Sequence, residues 1–215
     1  METVAVLPIK TFARAKHRLA EAIEGADRRE LAEAMVGDVF EALAAVPELS
    51  GVIAVTAEPR AAALAREAGA EVVHDPREAG QSAAATLGIE VALQRGATRA
   101  LLVPGDCPAL IPQEVSALLA SRAAVVIVPD RHGAGTNALL LSPPDAIAPS
   151  FGPGSFARHA ARGRAVGIAI AEVPSLGLDV DTPGDLAALR AALAIRRGGA
   201  PRTRALLERM LPAPA

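Results

Sequence analysis

Arg99-Ala-Leu-Leu-Val-Pro-Gly-Asp-Cys-Pro-Ala-Leu110 is the stretch on which the fold turns. Four apolar residues, Ala100 to Val103, run without interruption into a Pro-Gly pair, and an acidic residue follows at Asp106. An uninterrupted apolar run of that length, ended by turn residues, reads as a strand buried on both faces, as in a parallel sheet covered by helices. Similar runs occupy Thr3–Ile9, Gly51–Thr56, Ala70–His74, Ala124–Val128, Asn137–Leu141 and Val166–Val173. Between them lie Ala/Leu/Glu/Arg-rich segments of helical period. In Asp27–Val46 the residues Leu31, Met35, Val39, Leu43 and Val46 recur at spacings of three and four, one apolar stripe of a helix. Further helices are expected at Pro59–Ala68, Ser82–Gln94, Pro112–Ser121, Ser155–Ala161 and Pro183–Ala194. The last opens on Thr182 as cap, Pro183 at the first helical position and Asp185 at the positive end. Strand–helix alternation of this kind predicts an α/β fold, a three-layer α/β/α arrangement around a mixed, mostly parallel sheet.

Length and composition narrow the function. At 215 residues, 51% hydrophobic and 21% charged, the chain has apolar surface enough for one core without disulfides. With 22 basic and 24 acidic residues, net −2, it lacks the footprint of a nucleic-acid binder. Four Phe and no Trp or Tyr also remove a base-stacking platform. One cysteine, Cys107, fits a reducing compartment. No leader and no membrane-spanning run is read, so a cytoplasmic location is expected. Residues 1–195 read as a single domain and 196–215 as a basic extension, solvated and carrying a short helix at Thr203–Leu211. Contact with a second copy, as a homodimer, or with an anionic ligand is the other reading of that tail.

In an open α/β sheet, ligands bind beyond the carboxyl ends of the strands. Four polar segments satisfy that rule. After the first strand come Lys10, Arg14, Lys16 and Arg18, which suit either a polyphosphate or a plain solvated charge run. After the 99–103 strand comes Asp106, held between Gly105 and two prolines and placed to hold a divalent cation on a nucleotide, or else to cap the next helix. Cys107 has no nearby base and reads as packing. Two glycine-rich turns, Asp130–Asn137 and Ser150–Phe156, offer backbone N–H groups with Ser155 for a phosphate or carboxylate, and Phe151 and Phe156 as walls. Finally Asp179 and Asp181 alternate on an extended segment, two like charges that call for a cation. His17, His74, His132 and His159 show no zinc spacing. No P-loop, dinucleotide-binding or nucleophile-elbow motif occurs.

Taken in order, VLPIK…AKHRLA, RRELAEAMVGDVF, VPGDCPAL, VPDRHGAGTNALL, FGPGSFARH and LGLDVDTPGDL resemble the 2-phospho-L-lactate / phosphoenolpyruvate guanylyltransferases of coenzyme F-420 biosynthesis. The likeness reaches to about Leu193. It implies a nucleotide-diphospho-sugar transferase-like (Rossmann-like) nucleotidyltransferase domain that transfers GMP from GTP to the phosphate of a three-carbon acid. It further implies Mg²⁺ on Asp106, Asp179 and Asp181, with Asp106, Lys16 and Arg18 catalytic. Lys10, Lys16 and Arg18 would bind the nucleotide's phosphates, Gln81 and Ser82 would line the base turn, and Thr136, Gly152 and Ser155 would bind the acceptor. Two departures are Gly105 and Cys107 around the strand-end aspartate, and Ser82 where relatives commonly carry Asn. Competing readings are a molybdopterin or sugar-phosphate nucleotidyltransferase on the same fold, and a non-catalytic nucleotide sensor. Phosphoenolpyruvate, 2-phospho-L-lactate and 3-phosphoglycerate stand as alternative acceptors.

Overall fold

A computed structural model describes residues 2–14, 16–20, 23–196 and 198–210. In chain order the elements are β1 (Thr3–Ile9), α1 (Gly25–Ala44), β2 (Gly51–Thr56), α2 (Pro59–Glu67), β3 (Glu71–His74), α3 (Gln81–Gln94), β4 (Arg99–Leu102) and α4 (Pro112–Leu119). They continue with β5 (Val125–Pro129), β6 (Thr136–Leu141), α5 (Ser155–Gly163), β7 (Ile168–Ile170), α6 (Pro183–Ile195) and α7 (Pro201–Met210). Two 3-10 turns, Phe12–Arg14 and His17–Leu19, lie between β1 and α1. Among the described residues no helix is long and apolar enough to cross a membrane.

The strands form one sheet in the order β3-β2-β1-β4-β6-β5-β7. Its first four strands run parallel, and β6 lies antiparallel between β4 and β5. The expected strand at Val166–Val173 shrinks to Ile168–Ile170. Gly167, at φ +94°, delays its entry, and β7 pairs with β5 alone. Leu101, Leu102, Leu139 and Leu140 are sealed from solvent, as their apolar runs require. One face of the sheet carries α1, α2 and α4 over Leu7, Leu101 and Leu140, and the other carries α3 and α5 over Val6, Leu102 and Leu139. Gly88 lets α3 approach β1 closely, since a Cβ there would stand 2.3 Å from the Val6 Cγ1.

The tail departs from expectation. Its helix α7 is not solvated: Leu206 and Leu207 join Leu31, Met35, Val180 and Leu186 in a third apolar cluster. The buried Asp38 of α1 accepts from the first N–H groups of α7, Arg202 (3.0 Å) and Thr203 (2.8 Å). Two of the tail's cations are engaged within the chain. Arg196 donates to the Ala109 carbonyl (2.7 Å), and Arg204 donates to those of Leu193 (2.6 Å) and Arg196 (2.6 Å). Carbonyls at a helix C-terminus lack partners within the helix, and Arg204 takes up that of Leu193. Arg197 and Leu211, also part of the expected tail, lie outside the described residues.

Helix α5 is anchored by His159, a fully buried ring. Its Nε2 accepts from the Ser150 N–H (2.8 Å) and its Nδ1 lies 2.9 Å from Thr136 Oγ1. Burial first, then the charges of Arg162 and Arg158, lower its pKa to about 4.

Two stability predictions follow from these contacts. Replacing Asp38→Ala strips two N–H groups, the buried one of Thr203 among them, of their acceptor and should cost about 1–3 kcal/mol in denaturant unfolding. For His159 the unfolded ring protonates near its ordinary 6.5, whereas the folded ring stays neutral down to about 4. Its contribution is therefore complete above 6.5 and lost as pH falls, by on the order of 3 kcal/mol. Unfolding free energies measured between pH 7 and 4 should fall less steeply in His159→Asn than in the unmodified protein.

Candidate active site

The loop leaving β1 is pinned from two sides. The Phe12 N–H donates to Glu58 Oε2 (3.0 Å), and the Thr11 N–H donates to Glu78 Oε1 (3.1 Å). Glu58 is itself buried at the start of α2, so its position is set by that helix. Held in this way, the loop turns back with Lys16 at φ +59°, a conformation worth about 1–3 kcal/mol of strain for a residue with a side chain. The Lys16 ammonium bonds Asp106 Oδ2 at 2.5 Å and Asp181 Oδ1 at 3.3 Å. Burial by itself would lower the pKa of Lys16, but the Asp106 and Asp181 charges outweigh it and hold the group above its usual range. Asp106 sits just past β4, and its carbonyl accepts from the Val180 N–H (3.2 Å), which ties the two acidic segments together. Lys10 and Arg18 are exposed along the same loop. The side chain of Arg14, also expected here, lies outside the described residues.

Asp179 completes the acidic group. Burial first, and then the Asp106 charge, push its pKa up to about 6. Asn137 steadies it, with Nδ2 donating to Asp179 Oδ1 at 3.0 Å and to the Leu176 carbonyl at 2.5 Å. Asn137 reaches this place because β6 contains a bulge. Val128 pairs with Ala138 and Pro129 with Thr136, so Asn137 is the extra residue. Regular alternation would put Thr136 on the face of Ala138, beneath α1, and Asn137 on the face of Leu139. The bulge re-aims both: Thr136 meets His159 of α5, and Asn137 meets Leu176 and Asp179. The alternating pattern alone gave no hint of this.

Among the described residues, no three His, Cys, Asp or Glu side chains already converge on one point as a ready cage for a metal ion. The donor set nevertheless suits a hard divalent cation. Asp106 and Asp181 hold the one ammonium and Asp179 feels the charges of both aspartates, a formal excess of two negative charges, and Mg²⁺ needs only one or two carboxylates beside phosphate oxygens. Lys16, expected to face phosphate, is bound to two of the aspartates, since an ammonium beside a concentrated negative charge is drawn to it. Cys107 is sealed, donates to the Leu176 carbonyl (3.4 Å), and is pushed well above the ordinary thiol range by burial. It packs, as read.

The two glycine-rich turns divide. The first is unavailable to an anion, because Asp130 fills it: its carboxylate accepts from the N–H groups of His132 (3.1 Å), Ala134 (2.9 Å) and Gly135 (2.8 Å). The expected anion cradle is therefore confined to the second turn, where Gly152 (φ +101°) and Gly154 (φ +70°) take conformations that favour glycine. There the chain enters α5 at the buried Ser155. Arg158 collects the carbonyls of Ser150 (2.9 Å) and Pro153 (2.5 Å). Ser82 reaches the same turn, its Oγ accepting from the Phe151 N–H at 2.8 Å, while Gln81 is the first residue of α3. Phe151 stacks edge-on against His159. The turns meet through the Phe156 N–H and the Ala134 carbonyl (3.2 Å). Arg131 pairs with Asp185, which also forms a capping box with Thr182 at the start of α6. Asn137, Glu58, Glu78 and His159 were not singled out by motif. The one usable signal was that His159 lies four residues after Ser155, on the same helix face.

A cleft of about 450 Å³, lined by Glu48, Leu49, Arg99 and Leu119 among others, lies at the opposite pole and plays no part in this arrangement. The acidic group and the Gly152–Ser155 turn thus share one rim of the sheet, bridged by the first two residues of β6.

Comparison with known proteins places the chain in a family. A protein of Conexibacter woesei named phosphoenolpyruvate guanylyltransferase is 50% identical over 98% of this chain and 97% of its own. One of the same name from Sphaerobacter thermophilus is 40% identical over 86% and 91%. Among solved structures, a protein of Desulfovibrio desulfuricans G20 described as a nucleotide-diphospho-sugar transferase superposes with a TM-score of 0.73 at 16% identity, over 98% of this chain and 97% of that one. The manganese complex of Rv0371c from Mycobacterium tuberculosis H37Rv does so at 0.54 and 19%, over 90% and 100%. Both structures share the fold. Residues 3–193 match the family described as "Guanylyl transferase CofC like", and with near-full-length relatives at this identity the chain belongs to that family of nucleotidyltransferases.

Proposed function

We propose that the protein transfers GMP from GTP to phosphoenolpyruvate in coenzyme F-420 biosynthesis, releasing pyrophosphate in the cytoplasm. The observation that carries the reading is a group of three carboxylates, two of them on the Lys16 ammonium, on the same rim as a glycine turn and a buried serine. The named acceptor of the 50% identical relative supports phosphoenolpyruvate over phospholactate. In the reaction a phosphate oxygen of the acceptor attacks the α-phosphorus of GTP. The bond from that phosphorus to the bridging oxygen breaks, and pyrophosphate leaves with the electron pair. The nucleophile is ionised at neutral pH, so no general base is required.

The chemical obstacle is repulsion, because an anionic acceptor must approach a polyanionic triphosphate. Asp106, Asp179 and Asp181 would hold a divalent cation, Mg²⁺, which supplies charge neutralisation and stabilises the leaving pyrophosphate. Lys16, already at the rim, adds a fixed positive charge, and Arg18 and Lys10 extend it along the loop toward the phosphates. Asn137 keeps the Asp179 carboxylate on that rim. On the acceptor side, Thr136, Gly152 and Ser155 bind the small acid's charged groups and align it for attack. Gln81 and Ser82 open the helix beside the same turn and stand near the guanine end of the reading.

Two measurements test this assignment. Asp106→Asn should lower kcat by roughly 100-fold or more with the fold retained in circular dichroism, since it removes a cation-holding charge. Full activity of that variant at limiting Mg²⁺ would remove Asp106 from the mechanism. Ser155→Ala should raise KM for phosphoenolpyruvate far more than KM for GTP in an assay of pyrophosphate release. Equal losses for both substrates would show that the anion site is misplaced.

A further inference from the structure

His159 is fully buried, yet both of its ring nitrogens are engaged at the rim where the acceptor is placed. A backbone N–H can only donate, so the Ser150 N–H at 2.8 Å requires an unprotonated Nε2. The neutral ring then carries its proton on Nδ1, and that proton is donated to Thr136 Oγ1 at 2.9 Å. Neither nitrogen is left to accept the Thr136 hydroxyl proton. That proton needs a different acceptor, and Thr136 is joined through His159 to Ser150, at the start of the turn that holds Gly152 and Ser155. The oxygens of a carboxylate or phosphate ester are acceptors only, which is the partner such a hydroxyl needs. The same ring also fixes the far side of the turn through Ser150, while Arg158, one residue before it, gathers the carbonyls of Ser150 and Pro153.

We propose that His159 is a positioning residue for the anionic acceptor: through Nδ1–H it directs the Thr136 hydroxyl as a donor, and through Nε2 it holds the 150–155 turn in register with it. The proposal rests on the reading of Thr136, Gly152 and Ser155 as the acceptor site. His159 does not touch substrate and carries no charge; it sets the direction of a neutral donor and the place of a loop.

The test begins with a spectroscopic signature independent of activity. In a long-range ¹H–¹⁵N spectrum of protein labelled in histidine, His159 should be the neutral Nδ1–H tautomer at pH 7.5. An Nε2–H tautomer or an imidazolium overturns the proposal. Kinetically, His159→Phe should raise KM for phosphoenolpyruvate by roughly tenfold, the effect of one misdirected hydrogen bond, with KM for GTP and kcat within about twofold. His159→Asn, which keeps a donor near the Nδ1 position, should recover most of the loss, and His159→Gln should not. If the Phe variant does not fold, the Asn and Gln pair decides alone. Equal KM values for the acceptor in those two, or a parallel loss for GTP, reduce His159 to a core residue and overturn the proposal. Thr136→Val measured alongside separates the two failures. An unchanged acceptor KM there removes the acceptor site itself, and the proposal with it. A raised value there with unchanged His159 variants overturns only the role of His159.

Discussion

Concentrated negative charge at the ends of buried strands is the constraint around which this protein is arranged. Asp106, Asp179 and Asp181 come from two segments far apart in the chain, and the Val180 N–H on the Asp106 carbonyl locks those segments together. Like charges at that separation repel, and the structure answers with one ammonium. Lys16 lies between two of the carboxylates, held by a loop that adopts a left-handed residue to deliver it. Two carboxylates pin that loop in turn, Glu58 from α2 and Glu78 from the segment before α3. A net excess of negative charge persists, and after burial it is what pushes Asp179 upward. An electrostatic deficit of this kind is what a divalent cation with a triphosphate would relieve.

The second organising feature is a single extra residue. A bulge at Asn137 lets the opening of β6 serve two neighbours on opposite faces of the sheet. Thr136 meets His159 of α5, and Asn137 meets Asp179 beyond Leu176. The acidic rim and the glycine turn are thereby fixed to the same strand end, with one peptide unit between them. Rigid placement matters because an in-line transfer requires its two anions to be presented in one geometry, and a misplacement of about 1 Å is enough to cost large factors in rate.

Much of this was legible from the residues. Apolar runs bounded by Pro, Gly and Asp mark the strands, and Thr3–Ile9 and Gly51–Thr56 fall where read. Thr182-Pro183 announces α6, whose capping box with Asp185 is complete. The aspartates stood out because Asp106 follows a buried strand directly and Asp179 and Asp181 alternate as two like charges. The tail misled, because its arginines look solvated by composition. In the fold Arg196 and Arg204 satisfy carbonyls, and Leu206 and Leu207 are buried. The Asp130 turn misled in the opposite way. Its glycines suggest a cradle, but the carboxylate that would be shared with solvent in an open loop has already taken the N–H groups.

By itself the sequence determined the layered α/β class, the strand ends where polar chemistry gathers, and the family, because periodicity and ordered local motifs are properties of neighbouring residues. Only the tertiary structure decided that Lys16 belongs to Asp106 and Asp181, that Asn137 serves Asp179, and that His159 stands behind Thr136. Those partners are separated by as many as 165 residues, and a bulge reverses which face their strand presents. Pairings of that kind arise from packing in three dimensions, which no local pattern of residues encodes.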